Sequence, residues 1–232
     1  MKILIYGLNY APELTGTGKY TAEMAALLTS RGHEVRVVCA PPYYPEWRVA
    51  EGYAGWRYRR ETRDGVELWR APLWVPSRPS GVKRMLHLAT FAASSLPLLA
   101  WQALWRPDAV MLIAPTLMCA PGALALARMT GASAWLHIQD YEVDAAFELG
   151  LLKSSRAARV ARWVERALLR RFDAVSSITR QMSSRAAAKG VDRSRVVCLP
   201  NWVDVSAVFP LARASEYRSL LGIPAGQKVV LY

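Results

Sequence analysis

The chain has 232 residues, 53% of them apolar, and a net charge of +12. That length fits one large domain or two small ones around a substantial core, and the charge fits either an anionic partner (nucleic acid, acidic lipid headgroups, a phosphorylated substrate) or a solubilising surface. Three cysteines without a C-x-x-C pair argue against a disulfide framework and for reduced, buried thiols in a cytosolic chain, and His33, His87 and His137 are too scattered to propose a metal site.

In chain order, residues 2–7 form a short apolar run with the pattern of a buried strand, too short for a signal peptide. A loop with Pro12, Gly16 and Gly18 leads into a helix over 17–30, with Ala22, Ala25, Ala26, Leu27 and Leu28 as its apolar face and Gly32 as its stop. Residues 34–39 are a second strand. An irregular aromatic loop over 41–47 and a basic run (Arg57, Arg59, Arg60, Arg63) precede a strand around 66–70. After a break over 76–81, the pattern predicts a helix over 82–105, a strand over 108–113, a helix over 116–129 ended by Gly131, and a strand over 133–138. Then come a helix over 154–171, a strand over 174–178, a helix over 181–189 capped by Gly190, and a strand over 196–199. This alternation specifies an α/β, Rossmann-like doubly wound parallel sheet. Residues 200–210 read as a linker, 215–221 as a short helix stopped by Gly222, and 228–232 as a strand that opens a second unit. The expected organisation is one domain over 1–200, and over 201–232 a linker with the first strand of a truncated second domain.

The opening βαβ unit sets its glycine loop over a helix N-terminus, where amide groups and the helix dipole favour phosphate. A Walker A loop is excluded, because Glu13 stands where its first glycine belongs and Tyr20 replaces its Ser/Thr. The dinucleotide fingerprint is excluded by Thr21 and by a second strand that ends in Cys39-Ala40-Pro41 rather than an acid. A phosphate loop of another kind and a plain turn both stay open.

The pattern P-E-x-x-G-x-G-x-Y from Pro12 to Tyr20, a helix, and then R-G-H-E-V from Arg31 resembles the opening of retaining, family-four-type GT-B glycosyltransferases. The segments W-L-H-I-Q-D-Y-E-V-D from Trp135 and L-P-N-W-V-D from Leu199 are similar to the same group, nearest to the enzymes of colanic acid and related exopolysaccharide synthesis. The resemblance implies the N-terminal, acceptor-side half of a GT-B fold, with Gly16, Thr17, Gly18 and Lys19 under the diphosphate of a nucleotide-sugar. It implies Asn201 and Asp204 at the domain crossover, and no cofactor or metal, in keeping with the lack of a D-x-D motif. The reaction it implies is sugar transfer to a lipid-linked oligosaccharide of exopolysaccharide synthesis, by a cytoplasmic enzyme peripheral to the inner face of the bacterial membrane. Retaining enzymes of this fold are thought to use front-face displacement, the leaving phosphate taking the acceptor's proton.

Among single residues, Asp140, Glu142, Asp144 and Glu148 concentrate acid just past the strand over 133–138, where open α/β sheets place ligands. Asp140 either orients or deprotonates an acceptor hydroxyl or caps the next helix. His137 is either a hydrogen-bonded core residue or, facing the same side as Gln139, a stand-in for the histidine that relatives carry beside this Asp. Asn201 and Asp204 are otherwise a turn signal, and Lys19 either meets phosphate or sits exposed.

Residues 86–105 carry no charge and as a helix would be ~30 Å long, enough to span a bilayer, dock on one or form a buried helix. In the helix over 154–171, Arg156, Arg159, Arg162, Arg166 and Arg170 form a basic stripe suited to an anionic membrane surface, opposite an expected apolar face of Val160, Val164, Ala167 and Leu168. No helix-turn-helix, zinc-finger or RNP-like pattern accompanies the charge, so nucleic acid is rejected as the partner. The expected function is therefore glycosyl transfer. Its alternative is a non-catalytic membrane-docking module, or half of a split enzyme completed by a separate donor-binding chain.

Overall fold

The computed structural model describes residues 1–14, 16–141, 155–224 and 226–230. The chain divides into two compact units, Met1–Pro200 and Asn201–Tyr232. In the first, β1 (Lys2–Tyr6), α1 (Gly16–Ser30) and β2 (Glu34–Cys39) open the fold, followed by β3 (Arg59–Arg63), β4 (Val66–Arg70) and α2 (Gly81–Trp105). Next come β5 (Ala109–Ala114), a 3-10 turn over Leu117–Cys119, α3 (Ala120–Thr130), β6 (Ser133–Ile138), α4 (Ser155–Leu169), β7 (Ala174–Ser177), α5 (Arg180–Ala188) and β8 (Val196–Cys198). The eight strands form one sheet in the order β3-β4-β2-β1-β5-β6-β7-β8. All pairs are parallel except β3 with β4.

The order runs outward in both directions from β1 and β5. Right-handed crossovers therefore put α1 on one face and α2 and α3 on the other. Central strands covered on both faces must be apolar along their whole length, and Leu4, Ile5, Tyr6, Val38, Val110 and Leu112 are all buried. On the α2 side, Leu4, Tyr6, Leu112 and Leu136 cluster with Phe91, Leu98 and Leu99 of α2 and Leu124 of α3. The Tyr6 ring lies 5.8 Å from Phe91 and its hydroxyl bonds Ser95 of α2. At the end of β1, a side chain on Gly7 would place its Cβ 3.0 Å from that of Ile113, so glycine lets β1 turn directly against β5.

Several sequence expectations are corrected. α1 turns Thr21, Met24 and Ala25 inward, while Leu27 is exposed, because only one side of a helix resting on a face of the sheet is covered. The basic run contains a strand, β3, joined to β4 by an Asp64-Gly65 turn with φ of 51° and 76°, the two left-handed residues a tight hairpin requires. On α4, Val160 and Val164 are exposed and the inward residues are Ala158, Glu165 and Leu169; Glu165 is buried because Lys189, at the C-terminal cap of α5, neutralises it at 2.6 Å. Cys39 and Cys119 are buried as expected, but Cys198 on the edge strand is exposed.

In the second unit the short helix α6 (Glu216–Leu220) forms, with Ser215 at its N-cap. Residues 228–230 are not in a strand, and Leu231 and Tyr232 lie outside the described residues.

Replacing Phe91 by Ala removes a fully buried ring and is expected to cost about 3–5 kcal/mol. Trp101→Ala, on the exposed side of the same helix, should stay within about 0.5 kcal/mol. Urea midpoints of the two variants check the pair.

Candidate functional site: the switch point between β1 and β5

The sheet order reverses between β1 and β5, and open α/β sheets hold ligands in the crevice beyond their strand ends at that point. The loop from Gly7 to α1 lies there. It is anchored rather than loose, since Tyr10, Ala11 and Glu13 are buried while Leu14 and Gly16 face solvent.

Two buried charges fix it. Glu13 Oε1 accepts from the backbone amides of Tyr43 (2.9 Å) and Tyr44 (3.0 Å), and Oε2 from Asn9 Nδ2 (2.9 Å). Burial pushes the Glu13 carboxyl up, and those three donors work to keep it ionised. The side chain of Arg70, 1% exposed, donates through Nη2 to the carbonyl of Ala11 (2.6 Å), through Nη1 to that of Ala40 (2.7 Å) and through Nε to Glu61 (2.7 Å). The loop after β1 is thus tied to the loop after β2 by Glu13 and to β4 by Arg70.

α1 starts immediately afterwards, so the first-turn amides of Gly16, Thr17 and Gly18 face this strand-end edge. Gly16 has φ of +59°, a conformation that favours glycine. A Cβ on Gly18 would stand 2.9 Å from Glu13 Oε2, so the helix start fits against the clamp only without a side chain. Lys19 does not turn toward the loop; its ammonium pairs with Glu23, 3.6 Å away and one turn further along α1. Across the crevice, Thr116 is buried at the end of β5 and donates to the carbonyl of Ile113 (2.7 Å).

His137 and Asp140 belong to the neighbouring strand, β6. His137 is 2% exposed, with Nδ1 2.8 Å from Ser176 Oγ and Nε2 3.0 Å from Gln139 Nε2. Both ring nitrogens are therefore engaged, and His137 and Gln139 share one side of the strand as the alternation requires. Ser176 Oγ also accepts from Trp135 Nε1 (2.8 Å). Burial pushes the imidazole down to about 4, which keeps it neutral at physiological pH. Asp140, just past the strand end, is exposed. The rest of the acidic run, Glu142, Asp144 and Glu148, lies outside the described residues.

Asn201 and Asp204 fall in the second unit, where Asp204 Oδ1 accepts from the amide and hydroxyl of Ser206 (2.9 and 2.6 Å) as a turn-forming acid. The sequence reading missed Glu13 and Arg70. The signal for Glu13 was an acid inside an otherwise buried loop. For Arg70 it was an arginine ending a strand, with Glu61 two register positions away on the strand that a D-G hairpin brings across.

A doubly wound sheet with a glycine loop clamped at its switch point is the architecture of the N-terminal half of a GT-B glycosyltransferase. Residues 15–202 match the glycosyl transferase 4-like domain, and the chain belongs to that family. Over its whole length it is 49% identical to the glycosyl transferase WcaI of Escherichia coli (strain K12), assigned by its name to colanic acid biosynthesis, and it spans 58% of that protein's length. The fold is shared with the catalytic domain of starch synthase IV from Arabidopsis thaliana, bound to ADP and acarbose (TM-score 0.62, 15% identity, 98% of this chain and 60% of that one). It is shared also with Anabaena HepE in complex with UDP and glucose (TM-score 0.51, 15% identity, 96% and 50%).

Two outcomes follow from the geometry. Arg70→Met strips the donors from two loop carbonyls and leaves the buried side of Glu61 short of a partner. A loss of about 3–5 kcal/mol is expected, with faster amide exchange in the loop before α1 as the local readout. For His137, the folded value of about 4 lies below the ordinary 6.5, so the unfolded chain binds the proton first. Stability is full above pH 6.5 and falls as pH drops toward 4, by about 3 kcal/mol at ~1.4 kcal/mol per pH unit. Denaturation of His137→Gln across pH 4–7 should show a shallower acid loss than wild type.

Proposed function

We propose that this chain is the acceptor-side half of a retaining glycosyltransferase that moves a sugar from a nucleotide-sugar to a lipid-linked oligosaccharide of exopolysaccharide synthesis. The observation that carries the reading is the clamped loop at the β1–β5 switch point, which presents the first-turn amides of α1 to the crevice. In this role the amides of Gly16, Thr17 and Gly18 receive the donor diphosphate, and Lys19, half-exposed and paired with Glu23 at the surface, exchanges that partner for a phosphate oxygen. Asp140 orients the acceptor hydroxyl. The new bond forms from that oxygen to the anomeric carbon as the anomeric carbon–phosphate bond breaks, and the hydroxyl proton passes to the leaving phosphate oxygen. His137, neutral and held at both nitrogens, is a positioning residue that acts through Gln139. Asn201 and Asp204 serve the crossover to a donor-binding domain, and no metal or other cofactor is assigned a part. The colanic acid assignment of the relative supports an exopolysaccharide intermediate as acceptor.

An anionic membrane surface is the proposed second partner, at the inner face of the bacterial cytoplasmic membrane. α2 exposes Val82, Met85, Leu86, Leu96, Trp101 and Leu104, with Lys83 and Arg84 beside its start. α4 exposes Val160, Trp163 and Val164 alongside Arg156, Arg159, Arg162 and Arg166. Basic groups rimming apolar ones suit headgroups above acyl chains.

Calorimetric titration of the 232-residue chain should show millimolar or weaker affinity for UDP- and GDP-sugars, and clear, salt-sensitive binding to anionic vesicles. In a chain extended to the relative's full length, Asp140→Asn should lower kcat about 100-fold through lost orientation of the acceptor hydroxyl. Failure of that extended chain to move label from any nucleotide-sugar into the lipid fraction would sink the reading.

A further inference from the structure

Beside the glycine loop, at the strand ends of β2 and β4, lies a hollow of about 370 Å³ that the proposed reaction does not use. Its lining includes Tyr53, Arg57, Tyr58, Arg59 and Arg70. Three arginines line it, and Glu61 is shared by Arg59 (2.9 Å) and Arg70 (2.7 Å). Glu13 also acts electrostatically on Arg70, so three cations stand against two carboxylates and the local surplus is one cation.

These groups are held in place before any ligand arrives. Arg59 Nη1 donates to the carbonyl of Gly52 (2.8 Å), and its guanidinium lies 4.7 Å over the Tyr53 ring. Arg70 lies 4.9 Å from the same ring. Arg57 is oriented by stacking 4.1 Å over Trp56. Tyr58 Oη donates to the carbonyl of Ser94 (2.9 Å), fixing the wall to α2. Arg57, oriented by a ring, and Arg59, held by a ring, one carbonyl and a carboxylate shared with Arg70, retain donors for an external oxyanion. The indole of Trp56 and the ring of Tyr58 are 71% and 51% exposed next to them, flat apolar surfaces of the kind the C–H face of a sugar covers.

We propose that this hollow binds an oxyanion, a carboxylate or a phosphate, carried by the glycan acceptor, with Arg57 and Arg59 as its donors and Trp56 and Tyr58 against the sugar. The assignment to the acceptor rests on the reading that Gly16–Gly18 serve the donor. Arg70, which donates to Ala11 of the glycine loop and also lines the hollow, places the two subsites side by side.

The test titrates the 232-residue chain with D-glucuronate, inorganic phosphate and, as the neutral control, D-glucose. It follows the Trp indole resonances by NMR, with Trp56 assigned through Trp56→Phe. The expected result is millimolar binding of at least one anion that shifts Trp56, no shift with glucose, affinity weakened about fivefold or more by Arg57→Gln, and no change in Arg63→Gln, which removes the same charge beside the hairpin turn. Glucuronate alone binding assigns a carboxylate, phosphate alone assigns a phosphate, and both assign a general oxyanion site. No anion binding, equal weakening by the two Arg variants, or phosphate binding that Gly16→Val abolishes and Arg57→Gln leaves intact would overturn the proposal. The readout is binding without catalysis, so it stands or falls separately from sugar transfer by the extended chain.

Discussion

The arrangement of the switch point depends on one buried cation. Arg70 ends β4 with its side chain almost wholly out of water, a position that costs several kcal/mol unless the charge is matched and every donor is used. Glu61 supplies the match from β3 through Nε, the carbonyl of Ala40 and the sulfur of Cys39 accept from Nη1, and the carbonyl of Ala11 accepts from Nη2. Because those carbonyls belong to the loops after β1 and β2, satisfying the arginine sets the position of both. The antiparallel hairpin at the sheet edge thus acts on the crevice several strands away, by delivering the carboxylate without which Arg70 could not be buried.

Glu13 completes the clamp with the opposite charge. Its carboxylate takes two backbone amides of the second loop and an Asn9 amide of its own, and this leaves no room for a side chain on Gly18. That packing gives a physical account of why the loop departs from the dinucleotide fingerprint. There, glycine lets backbone approach a pyrophosphate; here, Gly18 lets a helix start approach a buried carboxylate. Gly16, with its left-handed backbone and open surroundings, is the glycine left facing the crevice.

Much of the fold could be read from residue order alone, because central parallel strands must be apolar throughout and their helices stop at glycines such as Gly131 and Gly190 with positive φ. β3 could not be read from hydropathy, since R-R-E-T-R has no apolar alternation. Its five residues form a strand through cross-strand ion pairs of Arg60 with Glu67 and of Glu61 with Arg70 and through the Asp64-Gly65 turn, which was the available signal. The facing of α4 was misread for a related reason. Hydropathy put Val160 and Val164 inside, whereas Lys189, at the C-terminal cap of α5, makes Glu165 an inward residue. At the site, composition could mark Gly16, His137 and Asp140 as chemically interesting. It could not show that His137 is spent on Ser176 and Gln139, because both contacts arise from register between strands and from the strand end.

The same distinction between composition and partners decides how α2 can meet a membrane. By length and hydropathy it could cross a bilayer, and its exposed side is a nearly unbroken apolar stripe. Its other side, however, is tied to the sheet layer through polar groups: Ser95 to the Tyr6 hydroxyl, His87 Nδ1 to the carbonyl of Trp74 (2.7 Å), and Gln102 to Arg36 (3.1 Å). Moving the helix into hydrocarbon would strip each of these from its partner and drag the Arg36 cation, stacked 4.5 Å over Trp105, with it or leave it unpaired from the helix. A helix so anchored offers a membrane only its outer stripe. Its depth is then limited to that side of one helix, and the basic groups at its start and on α4 must supply the rest of the attraction. For the proposed membrane contact this leaves α2 its exposed apolar stripe and the basic groups beside its start, with no spanning role.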